Sequence, residues 1–406
     1  MLIVQKYGGT SVADAEKIFC ASERIAKDYL KNHDLVIVVS AQGRTTDALL
    51  EKADEISKKP SKRELDALLS TGEQQSAALL AMALVELGLP AISLNSQQAG
   101  IFSTSEHGRA KIVSINPDRI NSELKKRNIV IITGFQGIDE HGEIMTLGRG
   151  ASDTTAIALA ASLSADLCEI YTDVAGIYTA DPRKIKDALK HREVCYDTIM
   201  ELSAMGASVL HSRGVELAKK FGVEFYVKSS FSNDSPSLIK QLPATEDKVV
   251  SGITAERDIC KVSVTNIRSN NVSRFLHLLA GNGICVDILT LDSEADFANL
   301  SFAIPKDDAD TLAELLVVHH SDIFEGELAI SHDLAKLSVI GAGISYDSRV
   351  TLAFYETLMS ESVNIQLLSL STLKISALIP MDTLDSVIFA LHEKFKNSGM
   401  FEEAIL

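Results

Sequence analysis

Four short segments of this chain combine glycine, hydroxyl, acidic and basic residues in patterns suited to anion chemistry. Lys6-Tyr7-Gly8-Gly9-Thr10-Ser11 follows an apolar run and opens a helical stretch. Glycines let backbone amides approach a ligand closely. Helix N-terminal amides favour a phosphate, and a lysine beside them adds a mobile point charge. The same residues also read as a plain strand-to-helix turn, with Ser11 as N-cap and Asp14 three residues on. Taken alone, the segment favours the turn. Gly148-Arg149-Gly150-Ala151-Ser152-Asp153-Thr154-Thr155 opens an alanine-rich helix. Arg149 offers a planar fork to a carboxylate or phosphate, and Asp153 stands at the helix mouth, where it could organise lysines or a metal. Capping accounts for the Ser152-Asp153 pair but not for a glycine-flanked arginine, so both readings stay open.

Ser70-Thr71-Gly72-Glu73 has the spacing of a capping box. Its functional alternative is a carboxylate that accepts a substrate ammonium group. Thr172-Asp173-Val174-Ala175-Gly176-Ile177-Tyr178-Thr179-Ala180-Asp181-Pro182-Arg183 follows an apolar strand. It reads either as a surface connection or as a cradle for a nucleoside, and a long polar loop with an embedded aromatic favours function. GxxxxGK[ST] and GxGxxG are absent, which excludes a P-loop and a dinucleotide fingerprint. The ten histidines show no metal-ligand spacing.

The elements that must position these residues alternate. Short β-branched runs occur at Leu2–Val4, Leu35–Val39, Ala91–Leu94, Ile129–Ile132, Cys168–Tyr171 and Glu224–Val227. Helical stretches are expected at Asp14–Asn32, Gln74–Leu87, Arg109–Arg127, Thr154–Ser164 and Tyr196–Lys220. Continuous apolar strands alternating with helices predict an α/β fold with a mostly parallel sheet sandwiched by helices. Ligands bind beyond the carboxyl ends of such strands. Lys6–Ser11, Ser40–Asp47, Thr133-Gly134-Phe135 and Thr172-Asp173 all fall there.

Turn-rich polar residues mark a boundary near 232–248. The expected division is a catalytic domain over 1–231, a linker over 232–248 and a regulatory region over 249–406. That region carries a weak internal repeat: Lys261-Val262-Ser263-Val264 resembles Lys336-Leu337-Ser338-Val339, and 283–291 resembles 362–370. Two α+β units of βαββαβ type are expected.

The chain has 406 residues, 46% of them apolar and 23% charged, enough for several cored domains. Its net charge of −16 argues against nucleic acid and anionic membranes as partners. Five widely spaced cysteines without a CxxC argue for a reducing compartment. With no long apolar run and no signal-like N-terminus, a cytoplasmic protein is expected.

Together and in this order, KYGGTS, VVSAQGRTTD, STGE, GRGASDTTA and TDVAGIYTADPR resemble the aspartokinases of the amino-acid kinase family, as does FSTSEHGRAKIVSINPD at 102–118. The resemblance spans essentially the whole chain, including two ACT-like repeats of the kind that bind amino-acid effectors. It implies that Lys6, Gly8 and Gly9 hold the transferred phosphoryl, with Ser11 at the same helix mouth. Ser40, Thr46, Glu73, Arg149 and Ser152 would surround aspartate, with Glu73 on its ammonium and Arg149 on a carboxylate. Asp153 would organise the reaction centre. Thr172, Asp173, Tyr178, Asp181 and Arg183 would line the ATP site. Ser208 stands where many members carry a nucleotide-binding lysine, and Lys184, Arg213 or Lys228 are the candidate replacements.

The implied reaction converts ATP and L-aspartate to ADP and 4-phospho-L-aspartate, with Mg²⁺ as the companion ion. The acceptor carboxylate is already ionised at pH 7, so no general base is needed and the problem is electrostatic. A homodimer or homotetramer built through the ACT-like repeats, inhibited by lysine or threonine, is implied as well. The competing readings are a kinase for another amino-acid carboxylate and a catalytically weak amino-acid-sensing subunit.

Overall fold

A computed structural model describes residues 1–148, 150–206, 210–242, 249–294, 296–323 and 327–401. The first half comprises β1 (Leu2–Tyr7), α1 (Ala15–Leu30), β2 (Asp34–Val39), α2 (Thr45–Ile56), α3 (Lys62–Glu86) and β3 (Ala91–Leu94). It continues with β4 (Ile101–Ser103), β5 (Ile112–Ile115), α4 (Asp118–Lys125), β6 (Ile129–Thr133), β7 (Gln136–Ile138) and β8 (Ile144–Thr146). Then come α5 (Ala151–Ser162), β9 (Leu167–Thr172), β10 (Glu193–Cys195), α6 (Tyr196–Ala204), α7 (Ser212–Phe221), β11 (Phe225–Ser229) and β12 (Ser237–Lys240).

Eight of these strands form one sheet in the order β10-β12-β11-β9-β1-β2-β6-β3. Every pair is parallel except β11–β12. The apolar runs are continuous because both faces are covered. On one face Val4, Val36, Val38, Val130 and Ile132 pack with Ala156, Ile157 and Leu159 of α5. On the other, Ile3, Leu35, Ile37, Ile129 and Ile131 pack with Ile18 and Ile25 of α1 and Leu80 and Leu84 of α3. Strand alternation therefore sends Lys6 toward α5 and Tyr7 toward α1 and α3. Residues 237–240, inside the segment read as a linker, form β12 of this sheet.

Several local expectations differ from the structure. The helix expected over Arg109–Arg127 is β5 followed by the short α4, with Pro117 at the N-cap position. Proline disfavours a helical residue before it. Helix α3 starts at Lys62 rather than Gln74, so Ser70 and Glu73 lie in mid-helix and form no capping box. The stretch Tyr196–Lys220 is two helices, separated around Gly206 at φ +101. The N-cap of α1 is Asp14, which accepts from Lys17 N at 2.9 Å, while Ser11 lies in a preceding 3-10 turn. The N-cap of α5 is Gly150 at φ +69, so neither Ser152 nor Asp153 serves as the cap.

The second half comprises β13 (Gly252–Arg268), α8 (Val272–Gly281), β14 (Asp287–Glu294), β15 (Phe297–Pro305), α9 (Lys306–Ile323) and β16 (Leu328–Ile340). It ends with α10 (Ser348–Ser360), β17 (Leu367–Leu370), β18 (Lys374–Pro380) and α11 (Leu384–Asn397). One antiparallel sheet runs β14-β15-β13-β16-β18-β17. The two repeats are interleaved rather than consecutive. The first uses the later half of β13 and the early half of β16. The second starts on the late half of β16, and its last strand is the early half of β13, where Gly252–Glu256 pairs with Ile340–Lys336. After α11 the described residues add only an isolated bridge, Phe401 to Val250. Two long shared strands remove the internal edges that two separate units would expose.

This sheet packs on the first half through α6. Ile340 joins Leu202 and Met205 in one core. Thr254 Oγ1 donates to Met205 O at 3.0 Å, and Lys374 Nζ lies 3.4 Å from Glu201 Oε2. Among the described residues, no helix is long and apolar enough to cross a membrane.

Candidate active site

The carboxyl ends of β1, β2, β6 and β9 are stitched together by backbone hydrogen bonds. Gly8 N donates to Tyr171 O at 3.2 Å, Ser40 N to Tyr7 O at 3.1 Å and Gly134 N to Val39 O at 3.0 Å. Gly9 sits where a Cβ would lie 2.5 Å from Ala41 O, so only glycine fits between the two loops.

Into this edge β1 projects Lys6, and α5 projects Asp153 from its first turn. Lys6 Nζ and Asp153 Oδ1 are 2.7 Å apart, and both side chains are nearly buried. The contact is ionic without hydrogen-bond alignment, and Asp153 Oδ1 has no other partner. A Cβ on Gly8 would lie 3.5 Å from Lys6 Nζ, so the ammonium hangs over the glycine turn. Ser11 is buried at the same turn, with its Oγ 2.5 Å from Ser230 Oγ.

Glu73 reaches this edge from the middle of α3. Gly72 lets α3 close on the β2–α2 loop: a Cβ there would meet Ala41 Cβ at 2.8 Å and Thr45 Cγ2 at 3.5 Å. Glu73 is 3% exposed, Oε1 accepts from Ala41 N at 3.0 Å, and Oε2 is buried without a partner. Burial pushes this carboxyl up to about 7, against the opposing pull of the Ala41 amide. A buried carboxylate with one open oxygen is built to receive a cation.

Ser152 is buried in the first turn of α5, and a Cβ on Gly134 would lie 2.6 Å from its Oγ. Ser40 and Thr46 are half-buried at the end of β2 and the start of α2. Arg149 lies outside the described residues. Its flanks are held: Arg213 donates to Leu147 O at 2.7 Å and to Ala110 O at 2.6 Å. A Cβ on Gly150 would strike the His211 ring at 2.5 Å.

The β9 end carries the second group. Thr172 Oγ1 donates to Asp173 Oδ1 at 3.1 Å. Arg183 donates through Nε to Asp181 Oδ1 at 3.0 Å and lies 3.7 Å from Asp173 Oδ2. Burial works to raise the Asp181 carboxyl, but the Arg183 hydrogen bonds outweigh it and hold the group below its usual range. Burial, then Asp234, raises the Tyr178 phenol. Asp173, Tyr178, Asp181 and Arg183 line one cleft, whose other wall includes Ser203 of α6 and Thr254 and Ala255 of β13.

Ser208 lies outside the described residues. Of its three candidate replacements, Lys184 lines the cleft beside Arg183, while Arg213 and Lys228 are held elsewhere. Lys184 Nζ is 3.5 Å from Asp385, Arg213 holds the two carbonyls above, and Lys228 pairs with Glu169.

Sequence reading placed Thr133 at this edge without giving it a role, and it gave none to His211. Thr133 Oγ1, at the carboxyl end of β6, and His211 Nδ1, whose ring faces Gly150, are buried without partners. Thr133 had a usable signal, a hydroxyl ending an apolar strand; His211 had none. Among the described residues, no three or more His, Cys, Asp or Glu side chains gather as a metal site.

The amino acid kinase family model matches residues 1–229, and an ACT domain model matches residues 337–395. An aspartokinase of Geobacillus stearothermophilus is 43% identical, over 99% of this chain and 98% of its own. Aspartokinase 2 of Bacillus subtilis is 40% identical over 98% of each. The solved aspartate kinase from Synechocystis is 36% identical with a TM-score of 0.55, covering 98% of this chain and 70% of that one. E. coli aspartokinase III, solved with aspartate and ADP, shares the fold at a TM-score of 0.81 and 23% identity, covering 98% of this chain and 100% of its own.

Proposed function

Because the chain belongs to the aspartokinases of the amino acid kinase family, we propose that the pocket at the carboxyl ends of β1, β2, β6 and β9 transfers the ATP γ-phosphoryl to the side-chain carboxylate of L-aspartate. The observation that carries this assignment is the buried Lys6–Asp153 pair at 2.7 Å over the Gly8-Gly9 turn. A carboxylate oxygen attacks the γ-phosphorus, the bond to the bridging oxygen breaks, and ADP leaves with that oxygen's electrons. No proton moves, because the acceptor is ionised and the product is an acyl phosphate.

The work of the site is to bring two anions together. Lys6 supplies positive charge at the transferred group, and Asp153 holds the ammonium over the turn until the phosphates arrive. Gly8 and Gly9 present backbone amides, with Ser11 at the same turn. The open oxygen of Glu73 takes the substrate ammonium. Ser40, Thr46 and Ser152 contribute hydroxyls around aspartate, and Arg149 takes a carboxylate through its fork. Asp173, Tyr178, Asp181 and Arg183 hold the nucleotide, with Thr172 orienting Asp173.

Mg²⁺ fits as an ion that arrives with the nucleotide. Asp153, whose Oδ1 is buried without a hydrogen-bond partner, and Asp173 would be the carboxylates to hold it, and it would neutralise phosphate charge.

The regulatory sheet supports feedback control by an end product of the lysine, threonine and methionine pathway that this reaction opens. Lysine is the first effector expected and threonine the second, acting in a homodimer or homotetramer joined through the ACT-like repeats. The five free thiols support a reducing, cytoplasmic setting.

A hydroxylamine trap tests the assignment. Protein is incubated with Mg·ATP and, separately, L-aspartate, L-glutamate and N-acetyl-L-glutamate. Hydroxamate from aspartate alone is expected. Product from another acceptor would overturn the substrate pocket, and no product at all would overturn the catalytic reading. Inhibition by lysine and threonine, alone and together, is scored in the same assay. Unchanged rates at saturating levels of both would refute the effector assignment.

A further inference from the structure

Between Ile177 and Lys190 the chain leaves one hydrophobic core and enters another. Ile177 packs in the kinase core. Ala180 and Ile185 lie in the core of the second regulatory unit, with Ala188 and Leu189 packed against it. Thr179 stands at the crossing and is fully buried. Its carbonyl accepts from Ile253 N on β13 at 2.7 Å, and its amide donates to Leu189 O at 2.9 Å. Its hydroxyl accepts from Leu189 N at 3.0 Å and shares a hydrogen bond with His392 Nε2 at 3.1 Å.

His392 lies on α11 and is fully buried. Its ring packs on Phe401 at 5.0 Å between centroids, and Nδ1 has no partner. The bond to Thr179 is thus the hydrogen bond by which this imidazole is held. The same segment is tied at its rim by Lys184–Asp385 at 3.5 Å and Lys396–Asp187 at 3.0 Å. Those exposed pairs contribute little. The conformation of Tyr178 through Arg183 is set by what its buried residues grip, and here they grip the regulatory region.

We infer that His392 is a positioning residue for nucleotide binding: through Thr179 it fixes Tyr178 and the Asp181–Arg183 pair in the cleft, so that the regulatory region builds part of the ATP site. The inference rests on reading that cleft as the nucleotide site. A loop that is only partly in its binding conformation lowers apparent affinity by that fraction. Glu73 and Ser152, which the proposed function places around aspartate, are not among the residues lining this cleft.

The test uses the full chain. His392→Phe keeps an aromatic ring and removes the hydrogen bond; His392→Gln keeps a group able to donate or accept. His392→Phe is expected to raise the KM for ATP and the Kd for ADP about five- to tenfold, the worth of one buried hydrogen bond. The KM for aspartate stays within about twofold, and His392→Gln recovers most of the nucleotide affinity. Thr179→Val reproduces the effect, Thr179→Ser does not, and the Phe and Val changes are not additive. This second pair decides the matter where His392→Phe fails to fold. Unchanged nucleotide constants, or ATP and aspartate constants shifting together, overturn the inference. Tyr178→Ala separates it from its premise. If that variant raises the KM for ATP while His392→Phe does not, only the inference falls. If Tyr178→Ala leaves the KM unchanged, the cleft is not the nucleotide site and both fall.

Discussion

Lys6 Nζ and Asp153 Oδ1 lie 2.7 Å apart where β1 meets the first turn of α5, with side-chain exposures of 11% and 8%. A charge pair this buried is costly to break from one side, because the remaining charge is left uncompensated. It also holds a cation beside a glycine turn. Structure and chemistry therefore depend on the same contact, and substitutions can separate them.

Lys6→Met is expected to lower kcat by about 10²- to 10³-fold, as loss of a preorganised electrostatic group does. It also strands Asp153 and lowers stability by about 3 kcal/mol. Adding Asp153→Asn should restore most of the stability and none of the activity. Urea unfolding beside steady-state rates measures both. Near-normal turnover in Lys6→Met would refute the phosphoryl assignment.

Glu73 makes the site pH-sensitive. Its carboxyl is raised from 4.5 to about 7 by burial. In the proposed site the ionised form receives the substrate ammonium, so the KM for aspartate should fall as pH rises through 7. Stability runs the other way. Between these two values the folded state binds more protons than the unfolded one, so stability declines as pH rises from about 4.5 and levels off above 7. The total is about 3 kcal/mol at 1.36 kcal/mol per unit. Glu73→Gln should flatten both profiles and raise the KM for aspartate at least tenfold. A KM for aspartate that is independent of pH in the unsubstituted protein would rule this out.

Gly9→Ala places a methyl 2.5 Å from the Ala41 carbonyl oxygen, backbone against backbone. The β1 and β2 loops must part to admit it. The expected cost is about 1–3 kcal/mol of stability and at least a tenfold loss of kcat, read by thermal unfolding and turnover. Full activity would mean that this turn does not form the phosphate cradle.

Lys336 sits on β16 between Glu256 Oε2 at 2.7 Å and Asp287 Oδ2 at 2.6 Å. Burial works to lower this ammonium, but its two carboxylate partners outweigh it and raise it above its usual range. The linkage is therefore lost only as pH rises above the ordinary lysine range, and stability from this group is flat near neutrality. Lys336→Met should cost about 2–3 kcal/mol, less than a fully buried pair, because both carboxylates stay partly hydrated. Unfolding of the full chain followed by near-UV signals checks this; an unchanged midpoint would contradict it.

Strands β1, β2, β3, β6, β9 and β11 were legible in the sequence. In β1, β2, β6 and β9 an apolar run buried on both faces has no period to misread, and its carboxyl end is marked where small polar residues begin. The motifs at Lys6–Ser11, Gly148–Thr155 and Thr172–Arg183 were legible for the same reason, since glycine and hydroxyl residues report turns locally. Local grammar misled where two structures share one spacing. Ser70 and Glu73 have the capping-box spacing equally well in the middle of a helix, and only the start of α3 at Lys62 shows which applies. Ser152-Asp153 follows a left-handed Gly150 that does the work of the cap.

By itself the sequence determined the parallel sheet and the family. Those features are written in runs of a few residues, where propensity and burial act locally. The tertiary structure alone decided that Lys6 meets Asp153, that Glu73 keeps one oxygen open, that the last strand of the second regulatory unit precedes the first unit, and that His392 holds Thr179. Each of these joins residues far apart in the chain. Such contacts depend on how whole elements pack, and no local spacing encodes them.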